Sequence, residues 1–67
     1  VSISGDAEVQ ALVLAFNEDS QEGVIGVADA DGRYELILAA EVGDEIAVWQ
    51  RVGTTDGVPR VQTVPPP

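Results

Sequence analysis

Residues 29–38 read DADGRYELIL and contain the clearest fold signal in the sequence. The Asp31-Gly32 pair supplies the positive backbone φ that a tight hairpin turn requires. Residues 34–38 then alternate as an extended segment does, with tyrosine and leucines on one face and glutamate and isoleucine on the other. The stretch therefore predicts a turn that leads directly into a β-strand.

Turn signals recur about every ten residues on both sides of this motif, with no helical stretch between them. Short strands at this spacing indicate an all-β sandwich or barrel. Pro59 places the last strand at a sheet edge, because proline cannot donate to a ladder. The sequence predicts six candidate strands, at residues 1–4, 8–16, 24–27, 34–38, 46–52 and 58–64.

The longest apolar run, at residues 11–16, indicates a strand that is covered on both faces. One face carries the bulky side chains of Leu12, Leu14 and Phe16. The other face is small and smooth, and we expect another chain or another domain to cover it; a central strand beneath a local loop is the alternative. This small face consists of Ala11, Val13 and Ala15.

Composition and charge limit the chemistry that the chain can perform. Its 67 residues include 12 acidic residues against 3 arginines, for a net charge of −9 at pH 7. Surfaces that bind phosphate need lysine or arginine in number, so we expect no nucleic-acid partner. Without histidine, cysteine or lysine the usual general bases and nucleophiles are missing, and we expect no enzymatic activity. No apolar run approaches the ~18 residues of a membrane-spanning helix, so no membrane insertion is expected.

Size and charge together predict a domain that is short of stability. A chain of this length buries only ~60 % of its unfolded surface, and its charge adds self-repulsion. The sequence is nevertheless 45 % hydrophobic, which excludes an acidic disordered segment. We therefore expect a partner, a neighbouring domain or a bound cation to supply the missing stability.

Residues 28–38 and the segment GDEIAVW at 43–49 resemble the core of bacterial Ig-like and carboxypeptidase-regulatory-like (transthyretin-like) modules. The segment 53–65 is similar to the closing strand of those modules. The resemblance covers residues 24–65. It implies an extracellular, antiparallel β-sandwich that serves as a spacer, an adhesin stalk or an accessory module, without catalysis.

The sequence departs from this family in length. An Ig-type sandwich has about seven strands in about 100 residues, whereas five to six strands are predicted here. The family members that form Lys–Asn isopeptide bonds need a lysine, which this sequence lacks. We expect one domain over residues 1–64, followed by a proline-rich tail or linker at 65–67. A strand from a neighbouring subunit would complete the domain, as in pilins, through pairing of residues 1–4 or of the strand from Val58.

The acidic motif at residues 29–32 also suggests calcium. If Gly32 takes position 6 of an EF-hand loop, positions 1 and 12 fall on Val27 and Leu38, which cannot act as side-chain ligands. A hairpin turn explains the motif without metal, and no cofactor is expected. An irregular calcium site is the alternative. Its ligands would be Asp29, Asp31 and Asp56.

The only tryptophan, Trp49, shares a strand face with Ala47 and Arg51. We expect it to lie in the core; the alternative is an exposed contact with a sugar or a partner, and Trp and Arg are both enriched at interfaces. The acidic run at residues 17–22 predicts a solvated loop. The predicted interface consists of Val1, Ile3, Ala11, Val13, Ala15, Trp49 and Arg51.

These observations favour a non-enzymatic structural protein, a subunit of an extracellular, pilus-like filament or of a surface stalk, assembled by strand pairing. The alternative is a carbohydrate- or calcium-binding accessory module of a secreted bacterial protein. A soluble inhibitor that mimics nucleic acid has little support. The sequence starts at Val1 and contains no methionine, for which a cleaved secretory leader and a truncation are the two accounts.

Overall fold

A computed structural model describes residues 1–66, and over this range it contains seven β-strands and no helix. The predicted all-β class is confirmed. The structure has seven strands where five to six are predicted, because a two-residue strand at Thr55–Asp56 lies between two of the predicted strands. The strands are β1 (Ser2–Asp6), β2 (Leu12–Asn17), β3 (Glu22–Val27), β4 (Arg33–Ile37), β5 (Glu45–Val52), β6 (Thr55–Asp56) and β7 (Arg60–Thr63).

The strands form two antiparallel sheets. Sheet A consists of β1 and β4. Sheet B has the order β3-β2-β5, and β6 and β7 both pair with β5 on the side away from β2. The molecule measures 32 × 21 × 15 Å, and its shortest dimension fits two sheets packed ≈ 10 Å apart.

The hydrophobic core lies between the two sheets. Sheet A contributes Ile3 and Leu36, and sheet B contributes alternate residues of β2 and β5, whose neighbours in sequence point outward. Leu38, Ile46 and Val13 are among the largest fully buried side chains. The buried cluster consists of Ile3, Val13, Ala15, Ala28, Leu36, Leu38, Ile46 and Val48.

The motif at residues 29–32 forms the predicted turn, and β4 begins directly after it. Gly32 has a φ of +75°, and its N–H donates to the Asp29 carbonyl at 3.0 Å. The strands that this turn connects do not pair with each other, because β3 belongs to sheet B and β4 to sheet A. The turn therefore carries the chain from one sheet to the other instead of closing a two-stranded hairpin.

Only one of the two faces of β2 is covered, although the sequence predicted cover on both. Ala11, Val13 and Ala15 are buried, because sheet A of the same chain covers them. Small side chains on this face allow sheet A to approach closely. The bulky Leu12 is 37 % exposed, and it lies on the outer side of sheet B. The sequence predicted that another chain or another domain would cover this face. In the structure, β1 and β4 of the same chain cover it.

The boundaries of two predicted elements also differ. Residues 8–11 do not extend β2, because Gln10 adopts a φ of +63° and the Ala11 N–H donates to the Glu8 carbonyl at 3.0 Å. The acidic loop at 17–23 is shorter than predicted, since β2 continues to Asn17 and β3 begins at Glu22. Over residues 1–66 there is no helix with the length and apolar character that crossing a bilayer would require.

Candidate functional site

An open groove separates β1 of sheet A from β7 of sheet B. The large groove has a volume of about 600 Å³, and β1 lines it with residues 4–6 while β7 lines it with residues 60–62. Val13 and Val48 of the core also line it. A small groove of about 240 Å³ continues along the same side, between residues 1–4 and 62–65. The two sheets therefore leave a groove beside the core, although Val13 and Val48 are only 1 % and 8 % exposed.

The strand at this opening, β1, is hydrogen-bonded along one edge. Val1 and Leu38 exchange two backbone hydrogen bonds at 2.6 and 2.9 Å. Because bonded residues alternate along an antiparallel strand, Ile3 and Gly5 also direct their backbone groups toward β4. Ser2, Ser4 and Asp6 direct theirs away from β4, and no other strand within residues 1–66 pairs with this free edge of β1.

The opposite wall of the groove is also an edge strand. Among the described residues β7 pairs only with β5, from the register Glu45↔Thr63 to Val48↔Arg60. Its four residues are exposed. The position of β7 at the edge of sheet B agrees with the prediction made from Pro59. An unpaired strand edge is a ready template for the addition of another strand, and here two such edges face one groove.

The outer face of sheet B is a second candidate site. In its register, Leu14 lies between Ile25 of β3 and Trp49 of β5. Leu12 likewise lies between Val27 and Arg51. The outer face, as the term is used below, consists of Leu12, Leu14, Phe16, Gly23, Ile25, Val27, Ala47, Trp49, Arg51 and Val61.

Trp49 lies half-buried on this outer face, and not in the core that the sequence predicts for it. The reason is strand parity: Ile46 and Val48 of β5 point inward, so Trp49 must point outward. Neighbouring Arg51 forms an ion pair with Asp56, with Nη2 at 3.2 Å from Oδ2. This hydrogen bond lowers the pKa of Asp56.

Two of the three carboxylates considered for calcium, those of Asp29 and Asp56, have hydrogen-bond partners within the chain. Asp29 Oδ1 accepts hydrogen bonds from the N–H groups of Asp31 and Arg33, at 2.9 and 3.0 Å. These two bonds lower the pKa of Asp29, and Asp56 is held by Arg51. Within residues 1–66, no group of three or more acidic, histidine or cysteine side chains is placed to hold a metal ion. The three candidates are not brought together.

Asn17, assigned by its sequence neighbours to a solvated loop, is 0 % exposed. Its Nδ2 donates to Asp44 Oδ2 at 2.8 Å and to the Ala39 carbonyl at 3.3 Å. Its Oδ1 accepts from the N–H groups of Asp19 and Ser20, at 2.9 and 3.2 Å. Asn17 therefore joins the β2–β3 turn to the segment before β5. Parity could have revealed this, because residue 17 continues the buried series of odd positions on β2.

The predicted interface residues are divided between core and surface. Ile3, Ala11, Val13 and Ala15 are buried within the chain, although Ile3 and Val13 also line the grooves. Val1 is exposed beside the small groove, and Trp49 and Arg51 lie on the outer face. Comparison with known proteins found no matching family model, no similar curated protein and no similar solved structure.

Proposed function

We propose that this chain is a non-enzymatic structural protein, a subunit of an extracellular filament whose copies associate by strand pairing at the free edge of β1. The observation that carries this proposal is the large groove between β1 and β7, which has an unpaired strand edge on each side. A strand added to β1 would satisfy backbone groups that otherwise rely on water.

An added strand would also contact the edge of the core. Val13 and Val48 line the large groove, so an inserted strand could place alternate side chains against them. Sheet A would then have three strands instead of two. In this form the domain would match the Ig-like or transthyretin-like sandwich that the sequence resembles.

The small size of the domain favours such an association. The chain has no cysteine for a disulfide, and its net charge of −9 opposes compaction. Binding of a neighbour to the folded state stabilises that state by mass action. A subunit of a filament is permanently surrounded by neighbours, so limited stability alone is no obstacle to its function.

The carboxylates fit a structural role better than a catalytic one. The aspartates with a lowered pKa, which are Asp29, Asp44 and Asp56, all accept hydrogen bonds within the chain. A general acid near neutral pH needs a raised pKa instead.

Sedimentation velocity of the variant Ser4→Pro tests the proposal. Proline removes the outward N–H of residue 4 without removing a hydrogen bond to β4. The matched control, Ser4→Ala, keeps the N–H and loses only the hydroxyl. We expect the wild type and S4A to form assemblies that negative-stain microscopy shows as filaments, and we expect S4P to remain folded but not to form filaments.

The wild-type result decides the proposal first. A wild-type chain that forms no filaments at any concentration contradicts it. So does an S4P variant that assembles as the wild type does. Circular dichroism and the melting temperature show whether S4P has kept its fold, and Ser2→Pro, which removes another outward N–H, provides a second test if it has not.

The alternative, a carbohydrate- or calcium-binding accessory module, makes different predictions. It would use Trp49 for a sugar or the acidic turn for calcium, but Asp29 and Asp56 already have partners within the chain. Quenching of Trp49 fluorescence by added glycans would support sugar binding. A melting temperature that rises with calcium and falls again with chelator would support calcium binding.

A further inference from the structure

The outer face of sheet B carries an apolar surface that the chain does not cover. Ile25 is 66 % exposed, Val27 60 % and Val61 56 %. Half-buried Leu14, Phe16 and Trp49 lie between them, in adjacent register positions. Contiguous apolar patches of more than a few hundred Å² are rare on monomers and mark interaction sites.

Sheet A provides an internal comparison. Its outer face consists of Ser2, Ser4 and Asp6 on β1 and Arg33, Glu35 and Ile37 on β4. This is the alternation of polar outside and apolar inside that is usual for a sheet exposed to water. Sheet B departs from it across three adjacent strands, so the apolar character belongs to that face and not to the chain as a whole.

The acidic residues lie at the ends of the outer face and not at its centre. The chain has 12 acidic residues, but the register positions from Leu12 to Phe16 and their partners on β3 and β5 include only one charged side chain, that of Arg51. Glu45 lies at one end of it on β5, and Asp56 lies at the other end, paired with Arg51. Two molecules of net charge −9 repel each other least when they meet at such a surface.

We propose that the outer face packs against the same face of a second copy of this chain. Strand spacing and rise give the face dimensions of about 20 by 20 Å, so two stacked faces bury about 800 Å² in total. That area is below the ~1,000 Å² that a stable, specific interface usually buries. The expected dimer is therefore weak, with a dissociation constant in the micromolar range.

A two-fold axis that crosses the strands makes this packing self-complementary. β5 then runs antiparallel to the partner's β5, and Arg51 approaches the partner's Glu45 at both ends of the interface. Trp49 comes to lie over the centre of the partner's face. The apolar side chains fill the middle and the charged ones form the rim, as in other protein interfaces.

Ile25→Glu and Ile37→Glu form a matched pair of tests. Both replace an exposed isoleucine, 66 % and 75 % exposed, and both add one negative charge. Ile25 lies on the outer face, whereas Ile37 lies on sheet A. Each change is introduced separately into the S4P variant. Because S4P prevents strand pairing at β1, only packing through the outer face is measured.

We expect sedimentation equilibrium to show a dimer for S4P and for S4P/I37E. In S4P/I25E we expect the dimer to weaken by at least about tenfold, because the new carboxylate is buried without a partner. The emission of Trp49 should shift to the blue with rising concentration in S4P and should not shift in S4P/I25E.

Two results would contradict the proposed dimer. One is an S4P chain that stays monomeric up to millimolar concentration. The other is an equal loss of dimer in the I25E and I37E variants, which would assign the effect to net charge. Neither result depends on whether the wild type forms filaments, so this proposal and the proposed function can fail separately.

Discussion

Asn17 shows how much one buried polar side chain organises in a small domain. All its hydrogen-bonding partners lie in the turn after β2 or in the segment that leads to β5. A buried amide is tolerated only when its donors and acceptors are satisfied, and both ends of this amide have partners. The site therefore fixes two loops at the end of the molecule where β2 finishes.

Replacing Asn17 with alanine should lower the free energy of unfolding by about 2–4 kcal/mol. The loss arises because the N–H groups of Asp19 and Ser20 lose their acceptor and the Asp44 carboxylate loses a donor. Ser20→Ala, in the same turn, removes an exposed hydroxyl and should cost about 0.5 kcal/mol or less. Urea denaturation measures both, and equal effects would contradict the assigned role of Asn17.

Acid should destabilise the domain through three aspartates. Asp29, Asp44 and Asp56 have pKa values below the usual 3.8 in the folded chain, because each accepts hydrogen bonds. As the pH falls through and below that value, the unfolded chain binds more protons than the folded one, and the stability decreases. Their contribution is fully present above about pH 5.

Denaturation curves between about pH 6 and pH 3 test this sign. The wild type should lose stability across the acid part of the range. Asp44→Asn removes one titrating group, so its stability should fall less steeply. A wild-type stability that rises steadily toward pH 3 would instead mean that relief of the repulsion among the other carboxylates dominates.

At the scale of elements, the turn at residues 29–32 depends on one glycine. At Gly32 the φ is +75°, and a Cβ built there would lie 2.7 Å from the Ala7 carbonyl oxygen. Gly53 also has a positive φ, of +62°, but it faces open space. A residue with a Cβ would pay the cost of a left-handed backbone at either position, but it would meet a steric clash only at residue 32.

Gly32→Ala should therefore destabilise the domain more than Gly53→Ala does. The backbone conformation alone costs about 1 kcal/mol at either site, and the clash with Ala7 adds to it only at residue 32. Thermal unfolding compares the two variants. Melting temperatures lowered equally would show that the contact with Ala7 relaxes without cost.

The elements were predictable to different degrees, for physical reasons. Turn chemistry located the turn before β4, because glycine adopts a positive φ without steric cost and follows an aspartate that favours turns. Alternation separated the two faces of β2 but could not decide which one is inside, since both are apolar. The small face lies inside because sheet A can approach alanine more closely than phenylalanine. Trp49 lies outside the core, although tryptophan is a typical core residue, because Ile46 and Val48 of the same strand point inward. Asn17 is buried although its neighbours in sequence are polar.

The whole molecule combines a thin core with two unsatisfied surfaces. The free edge of β1 lacks a strand partner within residues 1–66, and the outer face lacks a cover. The sequence predicted that neighbours would be needed at the small face of β2, at residues 1–4 or the strand from Val58, and at Trp49 with Arg51. The chain uses the small face of β2 for its own core, which leaves the groove and the outer face as the candidates.

Association should strengthen as salt is added. Each copy carries a net charge of −9, and the repulsion between copies is screened over about 10 Å at 0.1 M salt. Light scattering of the wild type in rising sodium chloride should show larger assemblies. Dissociation on adding salt would indicate that ion pairs between subunits outweigh both the repulsion and the apolar contacts.

Amide hydrogen exchange along β1 tests strand pairing most directly. In the dilute monomer, Ile3 and Gly5 should be protected by β4, whereas Ser2, Ser4 and Asp6 should exchange rapidly at the free edge. In assembled protein we predict that the amides of Ser2, Ser4 and Asp6 become protected as well. If these three amides still exchange rapidly when assemblies form, strand pairing at β1 does not hold the subunits together.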